Sequence, residues 1–79
     1  MSNTPHELHE EFPAEAEKIH ALKLSNAHFA RLADEYHEIN RDVHKAETGI
    51  APVDHFAETE MRKKRAALKD EIFRMLGEA

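Results

Sequence analysis

Seven histidines among 79 residues are the first place to look for chemistry. His6 and His9 stand three apart and precede Glu10, and Asp34 and His37 repeat that spacing with Glu38 alongside. Residues three apart share a helix face, so each set can present an imidazole beside a carboxylate. Zinc and iron sites use such pairs, but they need three or four ligands converging from separate elements. No segment has the H-E-x-x-H arrangement of a metalloprotease helix. His37 and His44, seven apart, fall on an outward helix face where a solvated histidine needs no ligand. Neither metal nor cofactor is expected.

The second candidate is Arg62-Lys63-Lys64-Arg65, the one dense basic cluster. Arg62, Lys63 and Lys64 are the candidate anion contacts, for phosphate on nucleic acid or an anionic membrane. Consecutive helical residues point about 100° apart, so the four do not make one patch. Arg65 is expected to face inward, its stem across Tyr36 and Ile39 and its guanidinium toward Glu35 or another carboxylate. Lys63 and Lys64 are expected to pair with an acidic first arm. A net charge of -5 also disfavours nucleic acid as partner. A small regulator contacting nucleic acid through this cluster is therefore the alternative reading.

Catalysis is not expected, nor a small-molecule substrate. Ser2 and Ser25 lack a nucleophile elbow, and Gly49 and Gly77 cannot form a phosphate cradle. Glu10-Glu11 and Asp34-Glu35 sit in open charged stretches that would not perturb their protonation.

The elements that must position these residues are helices. Leu22, Phe29, Tyr36, Val43 and Ile50 recur every seven residues, with Ser25, Leu32, Ile39 and Ala46 between them. Alternation by three and four keeps one apolar seam on one side of a helix. A helix is expected over residues 26–47, stopped by Thr48-Gly49 and Pro52. Asp54 then caps a second, over about 55–76, whose inward positions are Met61, Arg65, Leu68, Ile72 and Met75, with Gly77 as its end. The short linker makes the second helix fold back antiparallel. Charge agrees: Met1 to Glu47 holds five basic and ten acidic residues, whereas Met61 to Leu76 holds six basic and two acidic. Such pairs select orientation more than they stabilise.

Ahead of the hairpin, residues 1–24 form a short extension. Thr4-Pro5-His6-Glu7 is expected to open a helix with Thr4 and Glu7 as a capping box, ended by Phe12-Pro13. Pro13 opens the next helix, with Ile19 and Leu22 facing inward. At Ser25-Asn26 a slight break is expected that leaves the chain direction roughly unchanged. The fold class is all-α: a coiled-coil-like antiparallel hairpin over residues 25–79 with an N-terminal helical extension.

Phe29-x-x-Leu32, Tyr36, Ile39, Val43 and Glu47, then Met61-Arg62-Lys63-Lys64 leading to Leu68-Lys69-Asp70-Glu71-Ile72, resemble the YdcH family of small bacterial proteins. That resemblance covers residues 25–76 and implies a cytoplasmic helical hairpin carrying a domain of unknown function. It brings no catalytic residue.

A chain this short buries a marginal core, and without cysteine no disulfide supplements it. Phe56, Phe73 and Leu76 fall off the seam and are the candidate contacts for an oligomer or partner protein. Leu8, Phe12, Leu24 and Ala66 are further apolar residues outside it. If uncovered, several such side chains are costly, each worth roughly 1.5–3 kcal/mol when buried. A second hairpin or a partner's helix is expected to cover them, or the N-terminal helices fold back over them within one chain. A non-enzymatic structural or interaction protein, self-associating into a dimer or higher bundle, is the leading reading. With no apolar run near the roughly 20 residues a bilayer needs, and no signal peptide in Met1 to Phe12, a soluble cytoplasmic protein is expected.

Overall fold

The structure, a computed structural model, describes residues 5–49 and 53–78. In chain order it has α1 (Leu8–Glu11), a 3-10 turn (Pro13–Glu15), α2 (Ala16–Ser25), α3 (Ala27–Glu47) and α4 (His55–Glu78). The described residues contain no strand. Helix α3 starts at Asn26, whose extended backbone and side-chain oxygen, accepting from the Phe29 amide at 3.1 Å, make an N-cap. It stops where expected. Gly49 has φ 79°, a left-handed conformation that costs glycine nothing and other residues more. Asp54 caps α4, its Oδ1 accepting from the Ala57 amide at 2.7 Å.

The two long helices pack antiparallel. Phe29 and Leu32 on α3 share one core with Ile72 and Leu76 on α4, so the start of one lies against the end of the other. Farther along, Arg62 donates to Glu47 at 2.8 Å near the turn. Phe29, Leu32, Tyr36, Ile39 and Val43 are all buried, as is Ile72, while Leu22, Met61, Arg65, Leu68 and Met75 are half-buried at its margins. The seam is present, but its centre is rotated. Ala33 (3% exposed) and Asn40 (0%) lie deeper than Leu32 and Ile39 (8% each). Ser25, placed on the seam from its spacing, is exposed and returns its hydroxyl to the Ala21 carbonyl.

Asn26 corrects a second expectation. The chain does not continue in its old direction there; it doubles back. Ala16 and Ile19 on α2 line the same cleft as Ala33 and His37 on α3, which two end-to-end helices could not do. The extended backbone at Asn26 makes that corner, so Leu22 and Phe29 belong to different helices. Ile19 thereby enters the hairpin core together with Leu8 from α1.

Helix α4 also outruns its expected stop, with Gly77 inside the helix. The Lys18 ammonium donates to the Leu76 carbonyl at 2.9 Å, satisfying one of the last-turn acceptors and placing a cation at the negative end of α4. Arg74 reaches forward to Glu78 at 2.6 Å. These contacts carry the helix past glycine. Thr4, Ile50 and Pro52, assigned a cap, a seam position and a stop, lie outside the described residues; Glu7, the other half of the expected capping box, is the N-cap of α1 but makes no capping hydrogen bond.

Candidate functional site

Glu7 turns its carboxylate to α3 instead. Its Oε1 accepts from the Asn40 side-chain amide at 3.2 Å, and its Oε2 meets His37 Nδ1 at 2.8 Å. The other hydrogen of the Asn40 amide goes to the Pro5 carbonyl at 2.7 Å. Asn40 Oδ1 accepts from Arg65 at 3.0 Å, and the Tyr36 hydroxyl donates to the His6 carbonyl at 2.6 Å. Asn40 therefore uses both donors and an acceptor while fully buried, which is what a buried amide requires. Three elements meet on it: the segment before α1, α3 and α4. The arrangement is a clasp that ties the chain's start to the hairpin.

The clasp holds a strained residue. His6 has φ 63°, in the left-handed region that L side chains enter at a cost of the order of 1 kcal/mol. Its carbonyl and that of Pro5 are the two that the Tyr36 and Asn40 side chains grip. Arg65 accordingly turns to an amide, not to Glu35 or another carboxylate as expected from sequence.

A second tie lies nearby. Lys69 donates to Glu11 at 2.8 Å and sits 5.8 Å from the Phe12 ring centroid. That ammonium is the main reason the Glu11 carboxyl is held below the usual carboxylate range. Phe12 stacks on Phe73 with centroids 5.8 Å apart and ring planes at 18°. The extension thus docks on its own hairpin, covering part of the apolar surplus of α4.

The sequence-derived contact residues divide accordingly. Leu76 is 3% exposed and belongs to the core, because α2 folds back over the end of α4; it is not available to a partner. Phe56 and Phe73 remain 74% and 64% exposed. In the basic cluster, Arg62 bridges Glu47 and Glu58, both at 2.8 Å, and lowers the Glu47 carboxyl below its ordinary range. Lys63 leans on Glu60 of its own helix at 3.6 Å, whereas it was expected to reach the first arm. Lys64 stands beside Glu35, Glu38 and Asp42 on α3. A cleft of about 350 Å³ between α1, α2 and α3 is flanked by His9, His20, His37 and Asp34. No trio of histidine or carboxylate side chains among the described residues converges closely enough to hold a metal.

Residues 29–76 match a family described as a protein of unknown function, DUF465. The chain belongs to this family. YdcH-family proteins are DUF465 members, so the resemblance carried by Phe29 to Ile72 holds. No curated protein and no solved structure matches the chain. The DUF465 match spans most of α3 and α4, the hairpin. It therefore contains Tyr36, Asn40 and Arg65, while Pro5, His6 and Glu7 precede it. The clasp joins the DUF465 hairpin to the segment in front of it. No helix among the described residues is long and apolar enough to cross a membrane.

Sequence reasoning missed Asn40 although a signal was present. Phe29, Ala33, Tyr36, Asn40 and Val43 follow each other by four and three, a second seam as regular as the one chosen.

Tyr36 gives the clasp a pH dependence. Burial pushes its hydroxyl up to about 12, helped by the Glu11 carboxylate and opposed by Arg65. An unfolded tyrosine ionises near pH 10. Between about pH 10 and 12 the unfolded chain has released this proton and the folded chain has not. The contribution is therefore complete below pH 10 and lost as pH rises through 12, on the order of 2 kcal/mol in all. Urea midpoints measured from pH 9 to 12 are expected to fall more steeply for the native protein than for Tyr36→Phe. Parallel curves would refute this role.

Proposed function

We propose that the protein is a non-enzymatic interaction module that works by helix packing and associates with a second copy of itself. The observation that carries the reading is the exposure of Phe56 and Phe73 on α4, at 74% and 64%. Leu8, Phe12 and Ile19 are drawn onto the hairpin by the extension, yet among the described residues Phe56 and Phe73 stay exposed. Two large aromatic rings left in water favour association by roughly 1.5–3 kcal/mol for each that becomes buried. The small core of a 79-residue chain gains stability from the same step.

Sedimentation equilibrium at micromolar concentrations tests this directly. The native protein is expected to exceed monomer mass, and Phe56→Glu to return it toward monomer. Phe56 is exposed, so helical circular dichroism should stay unchanged in this variant. A folded native protein that remains a monomer over that range rules out self-association.

A further inference from the structure

One line of α4 has a property that its composition conceals. Phe56, Glu60, Lys63, Ala67, Asp70, Arg74 and Gly77 follow each other by four, three, four, three, four and three residues. All seven are exposed, and they form the ridge of α4 that points away from α3 and the extension. Read from its two ends toward Ala67, the ridge is complementary to itself. Phe56 corresponds to Gly77, Glu60 to Arg74, and Lys63 to Asp70.

We propose that this ridge is the self-association face, and that two copies pair through antiparallel α4 helices about a two-fold axis at Ala67. The inference rests on the self-association reading and names its contact. In a two-fold interface, residue i meets j and j meets i. The axis therefore sets Glu60 against Arg74 of the second copy and brings Lys63 beside its Asp70, one residue or about 1.5 Å off exact register, each pair occurring twice. Ala67 meets its own counterpart, and a methyl side chain lets the two helix backbones approach closely. Phe56 covers Gly77 of the second copy, where nothing lies within 4 Å of the position a Cβ would take. A large ring is thus matched to the one residue without a side chain.

The parallel alternative puts like against like along the whole ridge: Lys63 on Lys63, Asp70 on Asp70 and Arg74 on Arg74. Like charges facing each other oppose that arrangement, so charge selects the antiparallel one. The ridge charges are also unequally engaged within the monomer. Lys63 has only Glu60 at 3.6 Å, and Asp70 has no ion pair among the described residues. Arg74 is already held by Glu71 and Glu78, so the central Lys63–Asp70 pairs contribute most. A single helix pair is a small interface, and the dimer is expected to dissociate on dilution.

The test exchanges the two central charges in the full chain and measures mass by sedimentation equilibrium across a concentration series. Lys63→Asp alone sets carboxylates against carboxylates at both central pairs, and Asp70→Lys alone sets ammonium groups against ammonium groups. Each is expected to weaken the dimer at least tenfold while leaving helical circular dichroism intact. An equimolar mixture of the two variants should form a heterodimer, and the double variant K63D/D70K should recover the native dimer. That rescue is specific to antiparallel pairing, because in a parallel dimer position 63 never meets position 70. A native dimer indifferent to the single exchanges, or one not rescued by the double, overturns this face and leaves self-association standing. A native protein that is monomeric at every concentration overturns both.

Discussion

Asn40→Leu is expected to cost about 3 kcal/mol and to lower the melting temperature by roughly 12–24 °C, given the size of the chain. Leucine has the same branched skeleton of four heavy atoms and is no smaller, so none of this is a cavity effect. The loss arises because the Pro5 carbonyl loses its donor, Arg65 its acceptor and Glu7 one of its two partners. Removing a single partner leaves a buried polar group with its full desolvation cost, usually about 1–3 kcal/mol. Glu7 and Arg65 are only half-buried and recover part of that cost from water. Thermal unfolding followed by circular dichroism provides the measurement. A decrease below about 4 °C would show that the clasp adds little to stability.

The largest effect is expected at Phe29. Phe29→Ala removes a ring that is 0% exposed, from the junction of α2, α3 and α4. Truncation of a buried phenylalanine costs about 3–5 kcal/mol, from lost transfer energy and an incompletely collapsed cavity. A domain of 79 residues has in total roughly 4–12 kcal/mol of stability. The variant is therefore expected to lose about a quarter of its stability or more, read as a shift in the urea midpoint. Leu24→Ala is the matched control. Leu24 is 78% exposed, and its truncation should change stability by less than about 0.5 kcal/mol. Equal shifts in the two variants would contradict the packing described.

These two positions show what the sequence makes legible. Phe29, fully buried, is legible because hydrophobic spacing depends only on local geometry and on a helix having one dry side. The same reasoning located Asp54, Gly49 and Ile72. Asn40 and Leu76 required knowledge of what comes from elsewhere in the chain. Leu76 lies off the hairpin seam and becomes core only because α2 turns back at Asn26, a corner set by one residue's backbone conformation. Asn40 is buried because Pro5 and Glu7, more than thirty residues away, supply its hydrogen-bond partners. The partner of Arg65 is Asn40 and not a carboxylate, which no periodicity reveals. The hairpin is a local property of the chain; the clasp is not.

The Asn40–Arg65 bond also decides which of several near-equivalent alignments the two long helices adopt. An apolar seam that repeats every seven residues tolerates a slip of seven, because leucine-like positions still meet leucine-like positions. Sliding α4 one way by that step brings Ile72 onto Asn40, stranding an amide oxygen that nothing then donates to. Sliding it the other way sets Arg65 opposite Ala33 and brings the Glu58 carboxylate toward Glu7. Either slip forfeits a buried hydrogen bond that the apolar contacts cannot replace. The polar residue at the centre of the core thus acts as the index mark that gives a repetitive hairpin one alignment.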